Sequence, residues 1–512
     1  MTASSLFPSI SAWASCLSTA AIFWFLGIFV YRRWFHPLAH IPGPALAAVT
    51  YLYAFFFSNI GGSRYYAQIE KLHREYGPVL RITPDEIHLA DPDHYETIYH
   101  VGSKYSKSPD FYRAFGSDSA AFTTASNELH RIRRAALNPL FSRKMVLQLE
   151  EVVQSKAQKL CRRLTEALVA GQPLDLHHGF RAVSVDVITD YAFDDCHNLL
   201  DRADFGVDFF AMVRGLGPAF WFFQQWPFIQ PLALKTPMWL AKILSKPLGS
   251  FMQMQADCRK HIVSVKEHMD AGQDKSKSRT TMFYHLLNPD ATKGHVTPSV
   301  DELKDEAYII IAAAADTTGN AMTIASYNIV SNEAIYRKLA SELREAFPDP
   351  HASLDFVLLE RLPYLTAVIK EALRLSFGVI GRLPRLTPEP GAVFNEYAVP
   401  AGTIVGMSSW TMHRNENIFP SPDKFDSERW VDPVAARFLD RYLVPFGKGS
   451  RQCVGMPLAY CELYVTLGTV FRRFESLSVY ETGPEDLVYD DYFSSYHPND
   501  ARRFHVVGVL EA

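Results

Sequence analysis

The first 31 residues carry no charged side chain, and from Ile10 to Val30 the chain is almost wholly apolar, with Phe23, Trp24, Phe25, Leu26, Ile28 and Phe29 crowding its end. A helix over that run spans roughly 32 Å, about the hydrocarbon thickness of a bilayer. Arg32 and Arg33 follow at once, so the positive-inside rule places the rest of the chain in the cytoplasm. A cleaved signal peptide fits less well, because there is no basic leading region and the run ends on Arg-Arg instead of a small-residue cleavage site. The pattern predicts a single-pass anchor over 1–31.

His36-Pro37 and Ile41-Pro42-Gly43-Pro44 then forbid a continuous helix, and 32–63 reads as a stiff hinge. Within it Ala45 to Phe57 is apolar but too short to span a bilayer, and lies either at the interface or in a core helix. From residue 64 the pattern changes to helices with a few short strands. Val79–Ile82 and Ile87–Ala90 flank Pro84 as a strand pair. Leu147 to Val169 and Phe251 to His268 repeat their apolar positions at helical spacing. Ser299-x-x-Glu302 is a capping box opening one long helix through about Asn332. Asp270 to Thr281 is polar and reads as a loop, and strand signals return from Val393 to Val405 and at the C-terminus. The expectation is a mainly α protein with a minor β part, residues 64–512 forming one catalytic domain.

Composition narrows the chemistry. With 51 Lys+Arg against 55 Asp+Glu and a net charge of −4, the chain lacks the basic excess of a nucleic-acid binder. The cysteines at 16, 161, 196, 258, 453 and 461 form no C-x-x-C pair, which argues against a disulfide framework or a zinc ribbon. Tryptophans gather in two places: Trp13, Trp24 and Trp34 by the anchor, and Trp221, Trp226 and Trp239 among Phe220, Phe222, Phe223 and Phe228. The second group is either packed core or a membrane-dipping wall.

The sharpest motif is Phe446-Gly447-Lys448-Gly449-Ser450-Arg451-Gln452-Cys453-Val454-Gly455. Glycines on both sides of the cysteine allow a tight loop that a flat ligand can approach closely. Amide N–H groups and Arg451 near the sulfur would favour thiolate over thiol. The loop lacks the P-loop frame, and no partner ligands stand at zinc spacing. Asp316 and Thr317 interrupt an alanine-rich helix (Ala312 to Ala315), where a hydroxyl and a carboxylate could relay protons, or where Thr317 could simply bond back to a helix carbonyl.

Here the sequence resembles the cytochromes P-450. Phe-x-x-Gly-x-Arg-x-Cys-x-Gly is their haem-thiolate signature, and three further landmarks occur in order. Glu371-Ala372-Leu373-Arg374 matches Glu-x-x-Arg, and Phe425-Asp426-Ser427-Glu428-Arg429-Trp430 matches the Pro-Glu-Arg region with Ser427 replacing proline. Ala313-Ala314-Ala315-Asp316-Thr317-Thr318 matches the oxygen-activation stretch, with Ala314 where glycine is frequent.

The resemblance implies the P-450 fold, haem b with Cys453 as axial iron ligand, and a structural network of Glu371, Arg374 and Arg429 behind the cysteine loop. It implies Asp316 and Thr317 as the proton-delivery pair. It places His130, Arg134, Arg385 and Arg451 at the haem propionates and Phe446 at the cofactor, His130 standing where many members carry Trp. Arg131, Arg133, Arg143, Lys144 and Lys448 form either a docking face for an acidic reductase or a solvated surface. The implied substrate pocket draws on 108–123, 205–228, 312–317, 377–383 and 492–496, all apolar-rich, so the ligand is a hydrophobic small molecule.

The implied enzyme is a monooxygenase of the endoplasmic-reticulum membrane, inserting one atom of O2 with electrons from NADPH through a reductase. Arg382-Leu383-Pro384-Arg385 and Phe419-Pro420-x-Pro422 look most like fungal secondary-metabolism members, which act on terpenoid or polyketide skeletons. Three rivals are a haem-thiolate isomerase or dehydratase acting on peroxides, a non-enzymatic haem binding or gas-sensing protein, and an inactive anchor or scaffold, the last opposed by the complete set of haem motifs. The intact Asp316-Thr317 pair counts against the first.

Overall fold

The computed structural model describes residues 10–193, 195–215, 217–271, 281–288 and 297–509. The apolar run is a helix, α1 (Ile10–Val30), and residues Trp13–Phe35 meet the length and composition of a membrane span with none of it buried. The Ala45–Phe57 stretch divides into two short helices whose Ala47, Ala48, Val49 and Ala54 are buried, while Leu46, Leu52 and Phe56 are exposed. The buried alanines and Val49 fit the core-helix reading.

The body is helical: α2 (Asn127–Leu137), α3 (Arg143–Val169), α4 (Leu176–Phe193), α5 (Val207–Gly215), α6 (Gly217–Gln225), α7 (Lys246–Asp270), α8 (Val300–Ala314), α9 (Thr317–Val330), α10 (Pro363–Ser376) and α11 (Met456–Arg473) carry most of it. One large apolar core runs through α3, α4, α8, α9, α10 and α11. The expected strand pair forms as Val79–Arg81 against Glu86–Leu89, antiparallel. Arg385–Leu386, Ile404–Gly406 and Ser106–Lys107 extend it to five strands. The Val393–Val405 signals become a hairpin, Ala392–Phe394 with Tyr397–Val399, and that sheet strand at Ile404. Of the polar 270–281 stretch, residues 272–280 lie outside the described residues.

The single long helix expected from Ser299 to Asn332 is in fact two. The capping box at Ser299 and Glu302 forms as expected. The helix then stops at Ala314 and restarts at Thr317, with Asp316 at φ −128°. The cause is tertiary. Gly319 lets α4 approach so closely that a Cβ there would sit 2.8 Å from the Cα of Arg181. Arg181 is fully buried and its Nε reaches Asp316 Oδ1 at 2.6 Å. An ion pair that costs several kcal/mol to leave unmade outweighs the two or so backbone hydrogen bonds given up at the break.

Candidate active site

Cys453 sits on a loop just before α11, its sulfur opening into a cavity of about 970 Å³. Gly449 has φ +69°, and a Cβ there would lie 2.3 Å from the carbonyl oxygens of Tyr99 and His100. No other residue fits that turn. The Cys453 N–H donates to Phe446 O at 2.9 Å, closing the loop on itself. Burial pushes the Cys453 thiol up, while the Gly455 N–H, Arg134 and the Met456 N–H act in the opposite direction. The sulfur is thus ringed by groups that stabilise a thiolate once a cation stands opposite it.

Lys107, His130, Arg134, Arg385 and Arg451 line the same cavity. None of the four basic side chains other than His130 pairs with a carboxylate among the described residues; their partners are neutral. Arg451 donates to Ala125 O at 2.8 Å and Asn127 Oδ1 at 2.9 Å, Arg385 to Tyr112 Oη at 3.0 Å, and Arg134 to Asn138 Oδ1 at 2.7 Å. Lys107 is buried, with its ammonium on Phe122 O and over the Tyr112 and Phe122 rings at 3.9 and 4.0 Å. Burial and the crowd of like charges lower Lys107 well below the usual lysine range and Arg451 to about 10. Burial pushes the Glu306 and Glu462 carboxyls on the same lining up to about 7 and about 8, and four basic side chains in one cavity, none of them ion-paired among the described residues, call for an anionic ligand. Burial and the same neighbours drive His130 down to about 3, so near neutral pH it meets such a ligand as a neutral ring, by hydrogen bonding and packing.

Opposite the cysteine loop, Ala312, Ala313, Ala314, Thr317 and Thr318 form the wall. The Thr317 hydroxyl donates to Ala313 O at 3.0 Å, so it bonds back to the helix and faces the cavity at once. Asp316 does not line the cavity. It is 1 % exposed, held by Arg181 and, at 3.4 Å, by Arg214 of α5.

Behind the loop, Glu371 and Arg374 are wholly buried instead of forming a surface pair. Glu371 accepts from Arg374 Nε and Nη2 at 2.9 and 2.7 Å, Arg429 Nε at 3.1 Å, Trp430 Nε1 at 2.9 Å and Asp426 N at 2.9 Å. Arg374 also donates to the carbonyls of His413, Pro422 and Lys424. The His413 ring then joins Arg374 O at 2.8 Å to Val444 N at 2.8 Å, two residues before Phe446. With Nδ1 donating and Nε2 accepting, both bonds require the neutral imidazole, and burial beside Arg374 holds His413 down at about 3.

Sequence reasoning missed Lys107 and His413. Neither stands in a motif, and a lone lysine in a two-residue strand or a lone histidine at the end of a short helix has no pattern to mark it. Lys107 lies at the edge of the stretch expected to form the pocket, which was the available hint. Of the basic face, Arg143 pairs with Glu360 at 2.6 Å, Arg133 with Glu302 at 3.6 Å and Lys448 with Glu96 at 3.7 Å, so these three are engaged within the fold, whereas Arg131 and Lys144 are exposed.

A glycine-bound cysteine loop opening into a cavity walled by a broken helix fits the family comparison: the cytochrome P450 family model matches residues 42–495, and the chain belongs to that family, whose members hold haem iron on a cysteine thiolate. Three proteins similar to the chain are fungal. It is 37 % identical over 491 residues to cytochrome P450 monooxygenase tpcC of Cochliobolus heterostrophus, covering 92 % of each chain. It is 36 % identical to N-acetyltryptophan 6-hydroxylase ivoC of Emericella nidulans, covering 97 % of this chain and 96 % of the relative. It is 34 % identical to conidiogenone synthase PchP450 of Penicillium rubens, covering 90 % and 92 %. The protein is a P450 monooxygenase of the kind found in fungal secondary metabolism, and the rival readings as a peroxide isomerase or a haem sensor are not favoured.

Proposed function

We propose that the protein is a membrane-anchored monooxygenase that oxidises a hydrophobic intermediate of secondary-metabolite biosynthesis with electrons from NADPH, delivered by a separate reductase at the endoplasmic-reticulum membrane. The observation that carries the reading is one cavity shared by the Cys453 sulfur and four basic side chains, none of them ion-paired among the described residues. In this proposal Cys453 binds the iron of haem b. Arg134, Arg385, Arg451 and Lys107 balance the propionates, His130 hydrogen-bonds beside them, and Phe446 packs against the macrocycle. When bound, haem with a thiolate ligand supplies the reductive activation of O2.

The remaining work falls to the chain. Ala312 to Ala314 keep the wall low, so that a small molecule fits between wall and cofactor. The Thr317 hydroxyl is placed to hold a proton at the cavity surface, and Asp316 supplies protons to it once its hold on Arg181 loosens. Glu371, Arg374, Arg429 and His413 keep the cysteine loop in one conformation.

The domain assignment follows: 1–31 anchor, 32–63 hinge and interfacial segment, 64–512 catalytic domain. Phe55, Ile60, Phe222 and Phe223 line one end of the cavity. Exposed Leu46, Leu52, Phe228 and Leu232 lie in the same two segments, which touch through Phe55 and Trp226 at 4.7 Å. A lipophilic substrate therefore enters from the bilayer. The relatives' names span an N-acetyltryptophan hydroxylase and a conidiogenone synthase, and the apolar wall suits terpenoid, polyketide or aromatic skeletons alike.

The deciding experiment is the reduced carbon monoxide difference spectrum of the detergent-solubilised protein. A strongly red-shifted Soret band that disappears in Cys453→Ala supports the assignment. A haem-loaded, folded protein without that band refutes it.

A further inference from the structure

Two cavities meet at a thin wall. The large one holds Cys453. A smaller one of about 220 Å³ lies between α2 and α8, bordered by Ser119, Ile132, Arg133, Ala136 and Glu302. Among the described residues only Leu137 and Glu306 line both. Leu129 and Ile132, on the outer side of the small cavity, are exposed, so it opens outward while its inner end stops at those two side chains.

The wall is completed by the chain from Asp118 to Thr124, which has no helix or strand of its own. Side chains hold it in place. Glu306 Oε2 accepts the Ala121 N–H at 2.7 Å, and Asp305 Oδ2 accepts the Ser119 N–H at 3.1 Å. Arg133 Nη1 donates to Asp118 O at 3.2 Å and Thr124 Oγ1 at 2.6 Å, and its Nη2 lies 3.6 Å from Glu302 Oε1. The inner side of the same segment presents Ala121 and Phe122 to the large cavity. Of these ties, the one made by Glu306 stands in the wall between the two cavities.

We propose that Glu306 is the bolt of a second passage, its hydrogen bond to the Ala121 N–H holding the 118–124 segment against α8 and closing the way between the small cavity and the large one. When the bond opens, the cavities join. The travellers are small molecules, because the outer cavity holds only about 220 Å³, and its lining mixes Ser119, Arg133, Glu302 and Glu306 with Leu129, Ile132, Leu286 and Leu303. Such a passage suits water and other small molecules. Glu306 acts here through the backbone it positions, not on the reacting atoms.

The inference rests on the haem reading, and the two fail differently. The probe is imidazole, small and polar, whose binding to iron is followed by the Soret shift in stopped flow with the full chain in lipid nanodiscs. A gate multiplies association and dissociation rates by the same factor and leaves Kd alone, whereas a change in pocket contacts moves Kd. Glu306→Leu is expected to raise both rates by about tenfold with Kd unchanged. Glu306→Gln, whose amide oxygen still accepts from Ala121, keeps the parental rates. Ala136→Trp, which fills the small cavity alone, returns Glu306→Leu towards the parent. Should Glu306→Leu not load haem, Leu137→Ala thins the same wall and carries the same expectation. Parental rates in the wall variants, a change in one rate only, or indifference to Ala136→Trp would overturn the gate. No Soret shift in the parent would instead overturn the haem reading.

Discussion

Replacing Glu371 by Ala tests whether the network behind the cysteine loop is what holds that loop. Glu371 accepts five hydrogen bonds, three of them from guanidinium nitrogens, and is 0 % exposed. Its removal strands Arg374, also 0 % exposed, and Arg429, 9 % exposed. Breaking a buried ion pair in this way costs about 3–5 kcal/mol. Two arginines share this carboxylate, so the upper end of that range applies. For a chain this long each kcal/mol moves the midpoint by roughly 1–2 °C, which gives a fall of roughly 5–10 °C.

The loss does not stay local. Arg374 also ties down the carbonyls of His413, Pro422 and Lys424, and His413 holds Val444 N. A loosened Arg374 therefore frees the chain entering the Phe446–Cys453 loop. Haem content per folded protein and the position of the reduced carbon monoxide band should both fall away from the thiolate form. Arg429→Met should cost less, on the order of 1–3 kcal/mol, because Glu371 keeps Arg374, Trp430 and Asp426 N as partners. The assay is haem content together with thermal unfolding of both variants. Glu371→Ala with full thiolate haem and a midpoint within 2 °C (roughly 1–2 kcal/mol) of the parent would refute the reasoning.

Three further outcomes are expected. Thr317→Ala should keep haem but release more of the consumed NADPH as hydrogen peroxide, and unchanged coupling of NADPH to product would remove Thr317 from proton delivery. Lys107→Met should raise the midpoint of the apoprotein by relieving an uncompensated buried cation, about 1–3 kcal/mol, and shrink the gain in midpoint on loading haem; equal shifts in both forms would show that Lys107 faces no anion. Glu462 is buried against Ser184 at 2.6 Å, and burial raises its carboxyl to about 8. A raised carboxylate costs native stability as pH climbs from the unfolded value towards the folded one. The midpoint of Glu462→Gln minus that of the parent should therefore rise between pH 4.5 and about 8 and level off above, and a difference flat across that window would contradict a raised, neutral carboxyl in the native state.

What the chain decides locally could be read from the sequence. The N-terminal helix long and apolar enough to cross a membrane is a run of apolar residues closed by Arg32 and Arg33, and its formation needs nothing from the rest of the fold. The cysteine loop is equally local, since Gly449 is demanded by its own positive φ and by the close Tyr99 and His100 carbonyls, and its motif spacing stands in a line of ten residues. The strand pair around Pro84 and the capping box at Ser299 formed for the same reason: turn chemistry and capping act between neighbours.

Tertiary structure decided what depends on partners far away in the chain. Asp316 ends a helix because Arg181, 135 residues earlier, lies buried beside it. Lys107 joins the cation cluster because strand pairing with Arg385 brings residues 278 apart into register. His413 matters only because α10 and the Val444 segment close on its two ring nitrogens. Local propensity could announce none of these, because each is the electrostatic or hydrogen-bonding answer to a burial that exists only once the helices have packed.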